Sequence, residues 1–69
     1  MKRVRLGSSA IAIVIYDKEM RSLDVEFRGG DTYRYFNVSK SIYRKLLKAE
    51  SAGAYWNEVK DKLTYVKLD

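Results

Sequence analysis

The chain has 69 residues, with fourteen lysines and arginines against nine acids, a net charge of +5, 46% hydrophobic residues and neither cysteine nor histidine. At this length one domain buries only about 60% of its unfolded surface, so a single thin core is expected. The missing residue types exclude a disulfide framework, a thiolate or imidazole metal site and an imidazole base.

The first seven residues, MKRVRLG, read as a flexible basic arm carrying Lys2, Arg3 and Arg5. With the apolar run Ala10 to Tyr16 they superficially resemble a secretory leader. The run lies at the short limit for such a core, is followed by Asp17, Lys18 and Glu19, and lacks a small-x-small cleavage pattern. No stretch approaches the ~20 apolar residues of a membrane span. A cytoplasmic protein with no membrane partner is expected.

Ile11, Ile13 and Ile15 alternate with Ala12, Val14 and Tyr16, a pattern for a strand apolar on both sides and placed centrally in a sheet. A polar turn from Asp17 to Ser22 leads into LDVEFR, where Leu23, Val25 and Phe27 alternate with Asp24, Glu26 and Arg28. Gly29 and Gly30 mark a hairpin whose return strand is DTYRYFNV.

Loop length decides which side chains of this hairpin share a face. A two-residue loop pairs Phe27 with Thr32 and Val25 with Arg34, exposing Tyr33 and Tyr35. A three-residue loop of Gly29, Gly30 and Asp31 pairs Phe27 with Tyr33, Val25 with Tyr35 and Glu26 with Arg34. The second arrangement is favoured, because it sets apolar beside apolar and makes an opposite-charge pair. Tyr33 and Tyr35 are then mainly structural, while Phe36 is exposed beside Arg34 and Asp24.

Ser39 is a suitable N-cap, with Val38 placed to staple onto Tyr43, for a helix running to about Glu50. Ile42, Tyr43, Leu46, Leu47 and Ala49 fill one arc of it; Lys40, Arg44, Lys45 and Lys48 fill the opposite one. Ser51 and Gly53 break the helix, and AYWNEVKDKL forms a second one with Tyr55, Val59 and Leu63 in line and Trp56 beside them. The tail TYVKLD can add a short strand.

The chemistry-bearing residues are sparse. Lys40, Arg44 and Lys48 repeat at i, i+4 and i+8 with no acid among them, an arrangement that is repulsive in an isolated helix and favourable against phosphates, whose condensed counterions are released on contact. The same charges also suit a merely solvated face or an acidic protein surface. Ser8 and Ser9 lack a base, so no catalytic residue is assigned. Asp17, Glu19, Asp24, Glu26 and Asp31 lack the ordered spacing of a calcium loop, so no metal site, cofactor or small-molecule substrate is assigned either. Gly29-Gly30 precedes a strand, unlike a phosphate loop. A helix-turn-helix reading fails on YWNEVKDKL, where Glu58 and Asp61 cancel Lys60 and Lys62.

Three segments in this order, SSAIAIVIYDKEMRSLDVEF at 8–27, Tyr33-Arg34-Tyr35 followed by Val38, and IYRKLLKAESAGAYWN at 42–57, resemble the KTSC domain, a short module named from the C-terminal region of some lysyl-tRNA synthetases and also found as a free-standing small protein. The resemblance implies that the tyrosine-x-tyrosine motif falls on Tyr33 and Tyr35, and the association with a tRNA enzyme suggests RNA as a partner.

The expectation is therefore one α+β domain over residues 1–69: a three-stranded antiparallel meander followed by two helices packed on it, with room for a short C-terminal strand. Its expected function is non-enzymatic binding of RNA or another nucleic acid. Lys40, Arg44, Lys45 and Lys48 would position phosphates, and Arg34, Phe36 or Trp56 would meet bases. The alternative is a protein-interaction module or small regulator docking on an acidic surface of a larger protein.

Overall fold

The computed structural model describes residues 1–68. Four strands, β1 (Lys2–Arg5), β2 (Ile11–Asp17), β3 (Ser22–Phe27) and β4 (Thr32–Tyr35), precede the helices α1 (Lys40–Lys48) and α2 (Ala52–Val59). A single 3-10 turn (Lys60–Lys62) then leads to β5 (Tyr65–Lys67). All neighbours are antiparallel, in the spatial order β1-β2-β3-β4-β5. The sheet thus has five strands where three and an optional fourth were expected. The additional strand is β1: the basic arm pairs with β2, Arg3 opposite Ile15 and Arg5 opposite Ile13. No helix among the described residues is long and apolar enough to cross a membrane.

The two helices cover one face of the sheet. Val14 and Tyr16 on β2, Leu23 and Val25 on β3 and Tyr35 on β4 are buried there with Val38, Leu46 and Trp56. Tyr16 stacks on Tyr43 of α1 with ring centroids 4.5 Å apart, and Tyr35 meets Trp56 of α2 edge-on at 5.0 Å. The Tyr16 hydroxyl donates to the Val38 carbonyl at 2.7 Å, so the chain entering α1 is tied to β2.

β2 departs from simple alternation. Its register with β3 shifts between Ile11 and Ile13, a β-bulge that turns Ile11 into the core with Val14 and leaves Ile13 and Ile15 on the opposite face. The three isoleucines expected on one side are therefore divided between two. Ser8 helps to set the approach, its hydroxyl accepting from the Ala10 and Ile11 amides, and the Arg28 side chain donates to the Ser8 and Leu6 carbonyls across the loop.

The β3–β4 hairpin has the expected facing with a different register. Val25 pairs with Tyr33, Leu23 with Tyr35 and Asp24 with Arg34. Both tyrosines share the covered face, but every partner is displaced by two residues from the favoured arrangement, and Arg34 meets Asp24 rather than Glu26. The loop is Arg28, Gly29 and Gly30, because the Gly30 amide donates to the Phe27 carbonyl and the Phe27 amide to that of Asp31. Gly30 has φ +106, the positive value that the last position of such a three-residue loop requires.

Each helix begins at a serine. The Ser39 hydroxyl accepts from the Ile42 amide and the Ser51 hydroxyl from the Ala54 amide. Ser51, read as a breaker, starts α2, and Gly53 lies inside its first turn. α1 ends at Lys48, short of Glu50.

Candidate nucleic-acid interface

The outer surface of α1 carries Lys40, Arg44, Lys45 and Lys48, all exposed. The opposite arc packs inward through Leu46, which is 1% exposed, with Ile42 and Tyr43 half-buried; Leu47, assigned to the apolar arc, is exposed. The two ion pairs among the described residues, Arg34–Asp24 and Lys67–Asp31, involve none of the four helical cations. Their positive charge is therefore unneutralised at short range.

The cations continue in two directions. Toward the start of α1, Lys40 and Arg44 share an open groove with Lys2, Lys18 and Tyr43, and with the acids Asp17 and Glu19. Asp17 is occupied within its own turn, its carboxylate accepting from the Glu19 and Met20 amides. Toward the end of α1, Arg44, Lys45 and Lys48 surround Tyr55 of α2 in a shallow depression. Burial holds the Tyr43 hydroxyl protonated above its usual value, with the neighbouring Tyr16 adding to the effect.

The residues expected to meet bases are placed elsewhere. Trp56 is 1% exposed and packed against Tyr35, so its indole offers no open face; it is a core residue. Tyr55 is half-buried, packed against the core with Val59 and Leu63 as expected, and it is this ring that also lines the depression beside Lys48. Arg34 lies on the sheet face away from α1, by its pairing with Asp24, and donates to both carboxylate oxygens at 2.7 and 2.9 Å. Those hydrogen bonds, and then the carboxylate charge, hold the guanidinium still more firmly protonated. Phe36 is half-buried one residue past β4, its amide donating to the Thr64 carbonyl.

Tyr35 is buried and Tyr33 half-buried in an aromatic cluster with Phe27 and Tyr65, at centroid distances of 5.6–6.3 Å. Burial raises the Tyr35 hydroxyl above its ordinary pKa. Among the described residues no group of three or more acids could hold a metal ion.

The KTSC domain family matches residues 7–62. The chain belongs to this family. A KTSC domain protein from Yersinia pestis, known from a crystal structure, superimposes with a TM-score of 0.92 at 30% identity, covering 99% of this chain and 97% of that one. An uncharacterised protein of Stutzerimonas stutzeri (strain A1501) is 44% identical over 59 residues, 86% of this chain and 83% of its own. A protein of Tsukamurella paurometabola is 40% identical over 52 residues, 75% of this chain and 78% of its own.

The KTSC match takes in α1, α2 and the Tyr33-Arg34-Tyr35 strand, and leaves out β5 and all of β1. Lys2 therefore joins the basic groove from outside the matched segment. Lys18 and Tyr55, both absent from the expected set, lie within it. Neither stands out in sequence, because Lys18 sits in a turn of mixed charge and Tyr55 lies in line with the core positions Val59 and Leu63.

Proposed function

We propose that this KTSC domain binds single-stranded RNA, or a polyanion of the same spacing, without catalysing a reaction, and that α1 is the contact surface. The observation that carries the reading is the set Lys40, Arg44, Lys45 and Lys48, four exposed cations on one helix without an acid partner. Lys40, Arg44 and Lys48 succeed one another in steps of about 6 Å along the helix axis. Such a row is favoured only when an anion lies across it, since adjacent like charges repel in its absence. Tyr55 supplies an aromatic surface amid Arg44, Lys45 and Lys48, taking the role expected of Trp56, and base stacking on such a ring contributes about 1–3 kcal/mol. Sequence preference is weak, because stacking and phosphate contacts read no base edge.

The test is fluorescence anisotropy of labelled single-stranded RNA, transfer RNA and duplex DNA across a salt series. Four phosphate contacts to a single strand give a slope of log K against log salt of about −3. The variant with Lys40→Gln, Arg44→Gln and Lys48→Gln together is expected to lose binding at every salt concentration. Absence of binding at low salt by the unaltered protein overturns the proposal and leaves the acidic surface of a protein partner as the reading for the same helix face.

A further inference from the structure

The face of the sheet turned away from the helices carries a second pattern. An antiparallel sheet with one solvated side normally presents polar residues there. β3 and β4 do so, with Asp24, Glu26, Thr32 and Arg34, but β2 presents Ile13 and Ile15. Two rows cross the face on paired residues. In one, Arg3 of β1, Ile15 of β2 and Asp24 of β3 stand side by side; in the other, Arg5, Ile13 and Glu26 do. Each row therefore reads cation, isoleucine, anion, with β2 in the middle.

We infer that this face is a two-fold interface between two copies of the chain, with β2 packed over β2. A two-fold axis along β2 turns the second sheet over and exchanges left for right. β1 of one copy then lies above β3 of the other, at the same height along the strands. Ile13 and Ile15 meet their own counterparts at the centre, Arg5 lies over Glu26 and Arg3 over Asp24. Both kinds of charged contact are of opposite sign, and each occurs twice, four in all, as an isologous interface requires. Sheets packed face to face stand about 10 Å apart, a gap that arginine side chains span.

The charge order selects this occupant. A polyanion attracted to Arg3 and Arg5 would be repelled by Glu26 in the second row, Asp24 in the first being already paired with Arg34, whereas a second copy sets opposite charges over one another in both. Arg34 remains outside the overlap and keeps its pairing with Asp24. The arrangement is independent of the α1 surface, which points the opposite way and stays open in the pair.

Three strands per copy make a small contact, in the class below about 1,200 Å² in total, so the association is weak and is best read from micromolar to millimolar protein. Sedimentation velocity of the whole chain over that range is expected to show a monomer–dimer equilibrium. Arg5→Glu places glutamate over Glu26 twice, and Glu26→Arg places arginine over Arg5 twice. Each variant alone is expected to weaken dimerisation by about tenfold or more, as like charges brought face to face do. Both substitutions are at exposed positions, and circular dichroism checks that each variant keeps its fold.

The deciding sample is the equimolar mixture of the two variants. Both of its cross-contacts are again of opposite sign, so dimer is expected to return as a heterodimer, which an effect within one chain would not produce. A chain that stays monomeric to millimolar concentration, a dimer indifferent to either reversal, or a mixture that fails to recover would each overturn the inference.

Discussion

A β-carbon added at Gly53 would lie 2.8 Å from the Ala10 β-carbon, closer than such atoms approach, and the Ser8 hydroxyl is 3.8 Å away. Gly53 is thus the point where α2 touches the β1–β2 loop. Helix propensity favours alanine there by about 0.8–1 kcal/mol, but overpacking of about 1–3 kcal/mol opposes it, and Ala10 has no flexible end that could move aside. Gly53→Ala is expected to lower the melting temperature by about 5 °C, in a thermal scan by circular dichroism, against the direction that propensity alone dictates. A rise would mean that the loop yields. The same scale explains why the depth of Trp56 is not legible beside that of Tyr55. Both fit an amphipathic pattern, and only the angle at which α2 leaves Ser51 decides which ring faces Tyr35 and which faces Lys48.

At the scale of elements, the Ser39 cap is legible because its chemistry is local, a hydroxyl three residues before an amide that needs an acceptor; Ser51 caps α2 in the same way but reads as a breaker beside Gly53. Ser39→Ala and Ser51→Ala are each expected to remove about 1 kcal/mol in urea unfolding, the former more, because Ser39 is partly buried and Ser51 is exposed. Facing on β3 and β4 was legible for a similar reason, since period-two patterning fixes parity. Register was not: moving a strand by two residues keeps every side chain on its face, so apolar matching cannot separate Asp24 from Glu26 as the partner of Arg34. The loop's hydrogen bonds make that choice. The bulge in β2 was hidden too, because a shift that sends Ile11 inward and Ile13 outward leaves an unbroken alternation in the sequence. β1 is not legible as a strand because its residues, KRVR, are charged at three of four positions and suit an edge strand as well as a flexible arm.

For the molecule as a whole, the net charge of +5 is unevenly laid out: α1 is basic and open, while the uncovered sheet face mixes Arg3, Arg5 and Arg34 with Asp24 and Glu26. Composition revealed the excess and could not reveal this division. The buried hydroxyls make a further statement about the whole fold. Tyr35 and Tyr43 ionise above their ordinary pKa in the folded chain, whereas in the unfolded chain they ionise near about 10. Between those values the unfolded state binds fewer protons, so stability decreases as pH rises above about 10 and is unaffected by these groups below it. Unfolding midpoints from pH 8 to 11 are expected to be flat and then fall, and Tyr43→Phe is expected to make the alkaline fall shallower.

The path of the chain divides the sheet into two histories. β1 to β4 join neighbour to neighbour through short turns, so their pairing closes small loops and can proceed early. β5 reaches β4 only after both helices have been traversed, and all three of its residues are exposed. Exposure and a long connection make its pairing the one expected to form last and open first. When it lets go, β4 becomes an open edge and the flank of Tyr33 loses the Tyr65 ring. Release of β5 would therefore bare a new strand edge beside the aromatic cluster without breaking any pairing among the other four strands.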